Sequence, residues 1–231
     1  MPCTPSSRWS AANRLHLTRS QTLIVHLRSF AAALLLPALA LGAHRGVAET
    51  PTPLAEQAPV AWQIDPVHSG VTFRIRHFVT RVRGKFTDFR GTITADPQGW
   101  QDAAIDVEIR TASISTDNEK RDNHLRSSDF FAADSFPTIT FRSTRIERRG
   151  DDATIHGTLT MRGVTRPVVL DGHFNGVVRT PDGERVGFEA TTKVDRTAFG
   201  VTWNRAMEGG GAMLGDEVEV EITVEAVRTT R

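Results

Sequence analysis

The chain contains no tyrosine, and its single cysteine, Cys3, is the third of 231 residues. One cysteine cannot form an internal disulfide. None follows the apolar run described below, so a cysteine-linked lipid anchor is excluded, as is thiol chemistry in the body of the chain. Nucleophile elbows, phosphate-cradling glycine loops and closely spaced histidine pairs are missing after residue 48. Acidic residues are absent from the first 48 positions, where five arginines stand.

That acid-free start has a recognisable layout. The run "FAAALLLPALALGA" from Phe30 to Ala43 follows Arg28 and is too short to span a bilayer. A basic region, an apolar core and small residues Gly46 and Ala48 in "RGVAET" predict a signal peptide over 1–48 with cleavage after Ala48. The stretch from Val25 would alone make a leader, so the start of translation is expected downstream of Met1. Loss of 1–48 lowers Lys plus Arg from 28 to 23 against an unchanged 27 Asp plus Glu, a formal charge of −4. Such a chain is a poor nucleic-acid binder, because phosphate neutralisation needs a positive surface.

Residues 49–60, beginning "ETPTPLAEQAP", form a Pro-rich linker, and 61–228 form one domain. Period-two alternation dominates that domain. Val71, Phe73, Ile75 and His77 share one face of "VTFRIRH", and Ile105, Val107 and Ile109 share one face of "IDVEIR". Ile139 goes with Phe141, Leu159 with Met161, and Phe188 with Val186 and Val194. In "EVEVEITVEAV" the valines and Ile222 oppose Glu217, Glu219, Glu221 and Glu225. About eight such strands, separated by turn clusters, bury one apolar face by closing into an antiparallel barrel. Phe86 fits the interior only if a bulge reverses its phase, since strict alternation groups it with Asp88 and Arg90.

The helical signal is "EKRDNHLRSSDFF", Glu119 to Phe131. Thr116 and Glu119 have capping-box spacing, and Asp117 with Arg121 and Asp122 with Arg126 are four apart. A short helix from about 117 to 127 would turn Leu125, Phe130 and Phe131 towards the barrel.

Two chemistries compete for the site. Past residue 48 the chain holds eleven of the twelve phenylalanines and three of the four tryptophans, an aromatic interior without phenol hydroxyls that suits hydrocarbon. A barrel filled by its own side chains is equally compatible with the pattern. The alternative is a metal-dependent enzyme or metal-binding protein using His77, Asp122 and His124, with His68 a further candidate. His68 beside Ser69 does not read as a catalytic pair, because strand neighbours point to opposite faces.

The segments "WQIDPVHSGVTFRIRH", "GKFTDFRGTI", "RDNHLRSSDFFAADSFPTITF", "GTLTMRGVTRPVVL" and "DRTAFG", in that order, resemble the YceI-like family of secreted lipid-binding proteins. The resemblance runs from Trp62 to Val227. His68, Ser69, Arg121, Asp122, His124, Phe130, Phe131, Pro137, Gly157 and Gly163 fall on its motif positions. It implies an all-β, extended, eight-stranded, lipocalin-like barrel with one short helix, located in the periplasm or secreted. It further implies a non-catalytic carrier whose tunnel holds a long isoprenoid, a quinone or a fatty-acid-type lipid, with no other cofactor. The expected partner is that lipid, without nucleic acid or a stable membrane anchor; a homodimer is allowed. The residues expected around the ligand are Phe73, Ile75, His77, Phe86, Val107, Phe130, Phe131, Phe141, Leu159 and Phe188, and of these Phe73, Ile75, Phe86, Val107, Phe141, Leu159 and Phe188 are expected to line one continuous cavity. The arginines of "VTRVRG" would favour an anionic head group if they border its mouth.

Overall fold

The computed structural model describes residues 58–96, 99–208 and 210–229. The expected signal peptide over 1–48 and nearly all of the expected linker lie outside them.

Strands form where the alternation predicts them. In β4 (Phe89–Asp96), Phe89, Gly91, Ile93 and Ala95 are buried while Arg90, Thr92, Thr94 and Asp96 are exposed. The sheet is antiparallel throughout, and it closes because β1 (Val60–Ile64) pairs with both β4 and β11 (Leu214–Arg228). β1 and β2 (Gly70–His77) lie end to end along β11. β3 (Thr80–Phe86) and β4 run along those two, then β5 (Gly99–Arg110) and β6 (Ile114–Ser115) along β4 and β3. These three broken staves join β7 (Thr138–Arg149), β8 (Asp152–Met161), β9 (Val164–Thr180), β10 (Gly183–Asp195) and β11. The result is a closed eight-stranded antiparallel barrel with one helix, the fold class expected. Closure leaves no edge along most of its length.

The breaks at 65–69, 87–88 and 111–113 lie side by side, and each reverses which parity faces inward. Phe86 and Phe89 therefore both point to the interior, on either side of Thr87 and Asp88. Side chains replace the ladder bonds lost there. The Ser69 hydroxyl donates to the Glu225 carbonyl at 3.1 Å and accepts from the Glu225 N–H at 3.0 Å. Buried Thr111 donates from its hydroxyl to the Phe136 carbonyl at 2.7 Å and from its N–H to the Pro137 carbonyl at 3.0 Å.

The helix α1 (Glu119–Arg126) is shorter than expected and is capped differently. Asn118 is the N-cap and its side chain accepts from the Arg121 N–H at 3.0 Å. Asp117 cannot belong to the helix, since its φ is +59°. Thr116 is drawn instead to the buried Asp122 carboxylate, which accepts from the Thr116 N–H at 2.8 Å and from its hydroxyl. Neither predicted four-residue ion pair forms. Arg121 donates to Thr116, and Arg126 donates to the Ala112 and Ile114 carbonyls at 2.7 and 2.9 Å.

One end of the barrel carries α1, the β2–β3 and β8–β9 tips and the 196–213 connection. At that connection buried Arg196 donates to the carbonyls of Val201 (2.6 Å), Gly215 (2.9 Å) and Trp203 (3.0 Å), and to Asp216 (3.2 Å). Burial pulls the Arg196 guanidinium below its ordinary value, and the Asp216 and Asp195 carboxylates oppose this. The connection is thereby folded onto α1, with the Trp203 ring 5.0 Å from His124 and 5.1 Å from Phe130. The opposite end is packed around Trp62, Ile64, Ile93 and Val186.

Candidate functional site

The inward side chains do not fill the barrel. Phe73, Phe86, Val107, Phe141 and Leu159 point to the interior yet are only half-buried, because space remains between them. That space is a cavity of about 350 Å³, within the range of small-molecule sites. Its walls are almost wholly apolar and come from every strand except β6. A filled core would show these positions as buried as Ile139 or Val186 are.

Cross-strand glycines help to keep the space open. The Phe73 ring lies over Gly84, its directly paired residue, and the Phe141 ring lies over Gly157. The polar groups bordering the cavity gather mainly at the α1 end, where Thr116, Arg121, His124 and His77 stand.

Nine of the ten sequence-selected residues border this one cavity: Phe73, Ile75 and His77 from β2, Phe86 from β3, Val107 from β5, Phe130 and Phe131 beyond α1, Phe141 from β7 and Leu159 from β8. Phe188 does not, which corrects the expectation of one continuous space. It faces a smaller chamber of about 100 Å³ with Phe174 and Trp100. Trp100 lies in that smaller chamber, its ring 5.1 Å from Phe188, 5.6 Å from Phe174 and 5.6 Å from Trp62. Ile64, Val107, Phe141, Leu170, Ile222 and Val224 border both chambers.

Sequence reasoning missed Trp100 and Trp203, the second of which borders the cavity beside α1. Trp203 lies in an irregular connection, where no period points to the interior. The segment "VTRVRG" meets the cavity through the valine between its two arginines. Arg81 and Arg83 are on the exposed outer face of β3, while Val82 between them borders the cavity.

The metal alternative is not supported. The Asp122 carboxylate is taken up by Thr116, and His124 Nε2 lies 2.8 Å from Asp129 Oδ2. Among the described residues, the group with metal-ligand spacing is Asp65, His68 and Glu225, at the β1–β2 break. A cation already serves it: Arg185 donates to Asp65 Oδ2 at 3.3 Å and to Glu225 Oε1 at 2.5 Å. His68 and Ser69 do not face each other, since His68 Nδ1 meets Asp65 at 2.9 Å and Ser69 meets Glu225.

The family model described as YceI-like domain matches residues 62–226. A UPF0312 protein of Staphylococcus aureus is 37% identical over 164 residues, covering 70% of this chain and 94% of that one. The crystal structure of the Campylobacter jejuni YceI protein superposes with a TM-score of 0.60 at 33% identity, over 66% of this chain and 88% of that one. A polyisoprenoid binding domain from Saccharophagus degradans shares the fold, with a TM-score of 0.54 at 14% identity over 74% of this chain and 99% of its own.

Proposed function

The chain belongs to the YceI-like family, and from that premise we propose that it is a non-catalytic lipid carrier acting outside the cytoplasm. Its ligand is a long isoprenoid, a quinone or a fatty-acid-type chain held in the barrel. The observation that supports this is the half-buried state of the inward phenylalanines around an apolar cavity. The fold is shared with a domain described as polyisoprenoid binding. The acid-free, apolar-cored residues 1–48 support the location.

The energetics suit such a ligand. Each buried methylene contributes about 0.8 kcal/mol, so roughly ten tail carbons give about 8 kcal/mol gross. A longer tail reaching into the second chamber offsets association costs of about 4–15 kcal/mol. Tail recognition of this kind needs no polar partner inside the barrel. The polar groups at the α1 end are where a head group would meet hydrogen-bond donors, Arg121 among them.

Native mass spectrometry of the purified protein, with organic extraction and lipid analysis, tests the reading. A co-purifying lipid is expected. An empty mass together with failure to take up added quinone or fatty acid would overturn it.

A further inference from the structure

The β2–β3 hairpin has features that the cavity does not use. Its tip is Phe78–Val79, with Val79 97% and Phe78 45% exposed. Phe78 has φ +51°, a left-handed conformation that bulky residues rarely adopt. The tip is braced in that form. The Phe78 N–H donates to the Met213 carbonyl at 2.8 Å, Arg76 Nη1 donates to the Phe78 carbonyl at 3.3 Å, and the His77 ring packs edge-on at 4.7 Å. The apolar side chains are thus held out of the protein.

Around them the charge is mainly positive. Exposed Arg76 is bonded to the carbonyls of Phe78 and Ala212, which leave its charge uncancelled. Arg81 lies 3.3 Å from Glu219, which it shares with Arg74, and Arg74 also meets Glu221 at 2.6 Å, so the positive excess rests on Arg76, Arg83 and Arg205. Exposed Arg83 has no ion pair among the described residues. Arg205 is exposed on the adjoining connection, and Glu208 is the acid there. Immediately behind the tip, His77, Val82, Met213 and Leu214 border the cavity.

We propose that the β2–β3 tip docks the barrel on an anionic lipid bilayer. Phe78 and Val79 enter the interfacial region, Arg76, Arg81 and Arg83 meet lipid phosphates, and the α1 end faces the surface from which a lipid chain enters. Two exposed apolar residues in a cationic collar are the chemistry of interfacial attachment without a spanning segment. Among the described residues no helix is long and apolar enough to cross a membrane. The loading step rests on the lipid-carrier reading; the docking itself does not.

The test is co-sedimentation of the purified protein with phosphatidylcholine vesicles, with and without phosphatidylglycerol. Wild type is expected to bind the anionic vesicles and to release at high salt. Arg83→Glu is expected to weaken binding by about fivefold or more, and Val79→Asp to abolish it. Val79 is almost fully exposed, so the fold is not at stake in that variant. Equal sedimentation of wild type and Val79→Asp would overturn the proposal. So would velocity sedimentation in which Val79→Asp splits a dimer while the vesicles are ignored. Lipid extraction separates the two readings. A loaded barrel that never docks sinks the docking, whereas a docking barrel that is always empty sinks the loading step and the carrier reading with it.

Discussion

A Cβ atom placed on Gly84 would lie 2.3 Å from Cζ of Phe73, the residue paired with it across β2 and β3. The ring occupies the space that a side chain at 84 would need, and so stays against the wall instead of crossing the interior. Phe141 does the same at Gly157, where a Cβ would come 2.4 Å from the ring. Strand glycines usually weaken a sheet. Here they hold large rings back from the lumen.

The two glycines should respond differently to alanine. At Gly84 the nearest atoms all belong to the Phe73 ring, which can swing into the cavity. Gly84→Ala is expected to keep the denaturation midpoint and reduce the lipid carried per chain. At Gly157 the Arg142 carbonyl would also be 2.6 Å away, and backbone cannot swing aside. Gly157→Ala should therefore lose about 1–3 kcal/mol of stability. Urea titration and quantitative lipid extraction on both variants check this contrast.

The buried Asp122 ties α1 to the segment after β6. Asp122→Ala leaves the Thr116 N–H and hydroxyl without their acceptor and should cost about 1–3 kcal/mol. The same urea experiment with and without a chelator should give identical curves. A chelator-dependent midpoint in wild type would revive the metal alternative.

Much of the fold was legible because alternation specifies which face of each strand turns inward. The phase breaks were harder. Phe86 and Phe89, three apart and both aromatic, were the available sign that parity reverses across Thr87 and Asp88. Whether the barrel is hollow was not legible at all. Alternation says that Phe73 points inward, but only the cross-strand register puts its ring on Gly84. Phe188 was assigned to the interior on its strand alone. That it faces a separate chamber, against Trp100 and Phe174, depends on other strands meeting it at one level. The His68–Ser69 motif has a structural role that spacing cannot show: it closes the ladder at the β1–β2 break.

That break should also be the acid-sensitive point of the fold. The hydrogen bond from His68, then the Val67 N–H and Arg185, hold the Asp65 carboxyl below its ordinary 3.8, at about 2. A carboxyl depressed in the folded state stabilises it above the unfolded value, and this is lost as pH falls from about 3.8 through about 2. Wild type is expected to lose stability over that window, and Asp65→Asn to show a shallower fall. Parallel curves for the two proteins would remove Asp65 as the cause.

Export predicts a processed N-terminus. Protein recovered from outside the cytoplasm should begin near Glu49, as read by N-terminal sequencing. Residues 1–48 intact on a cytoplasmic protein would contradict the proposed location.

Leu159 offers the sharpest test of the cavity. It stands opposite Phe141 on the neighbouring strand and borders the larger chamber. A charged residue there would be rejected by core and lipid alike, so its effect would be uninformative. Tryptophan keeps the site apolar and adds volume. If the chamber were closed by packed side chains, Leu159→Trp would overpack it and lose about 1–3 kcal/mol. With open space in front of Leu159, the indole should enter the lumen instead. The variant is then expected to keep its melting temperature and to purify without lipid, while wild type carries it. Calorimetry and lipid extraction on the same preparations separate the outcomes. A lower melting temperature for Leu159→Trp, together with a wild type that never holds lipid, would mean that the interior is not a binding site.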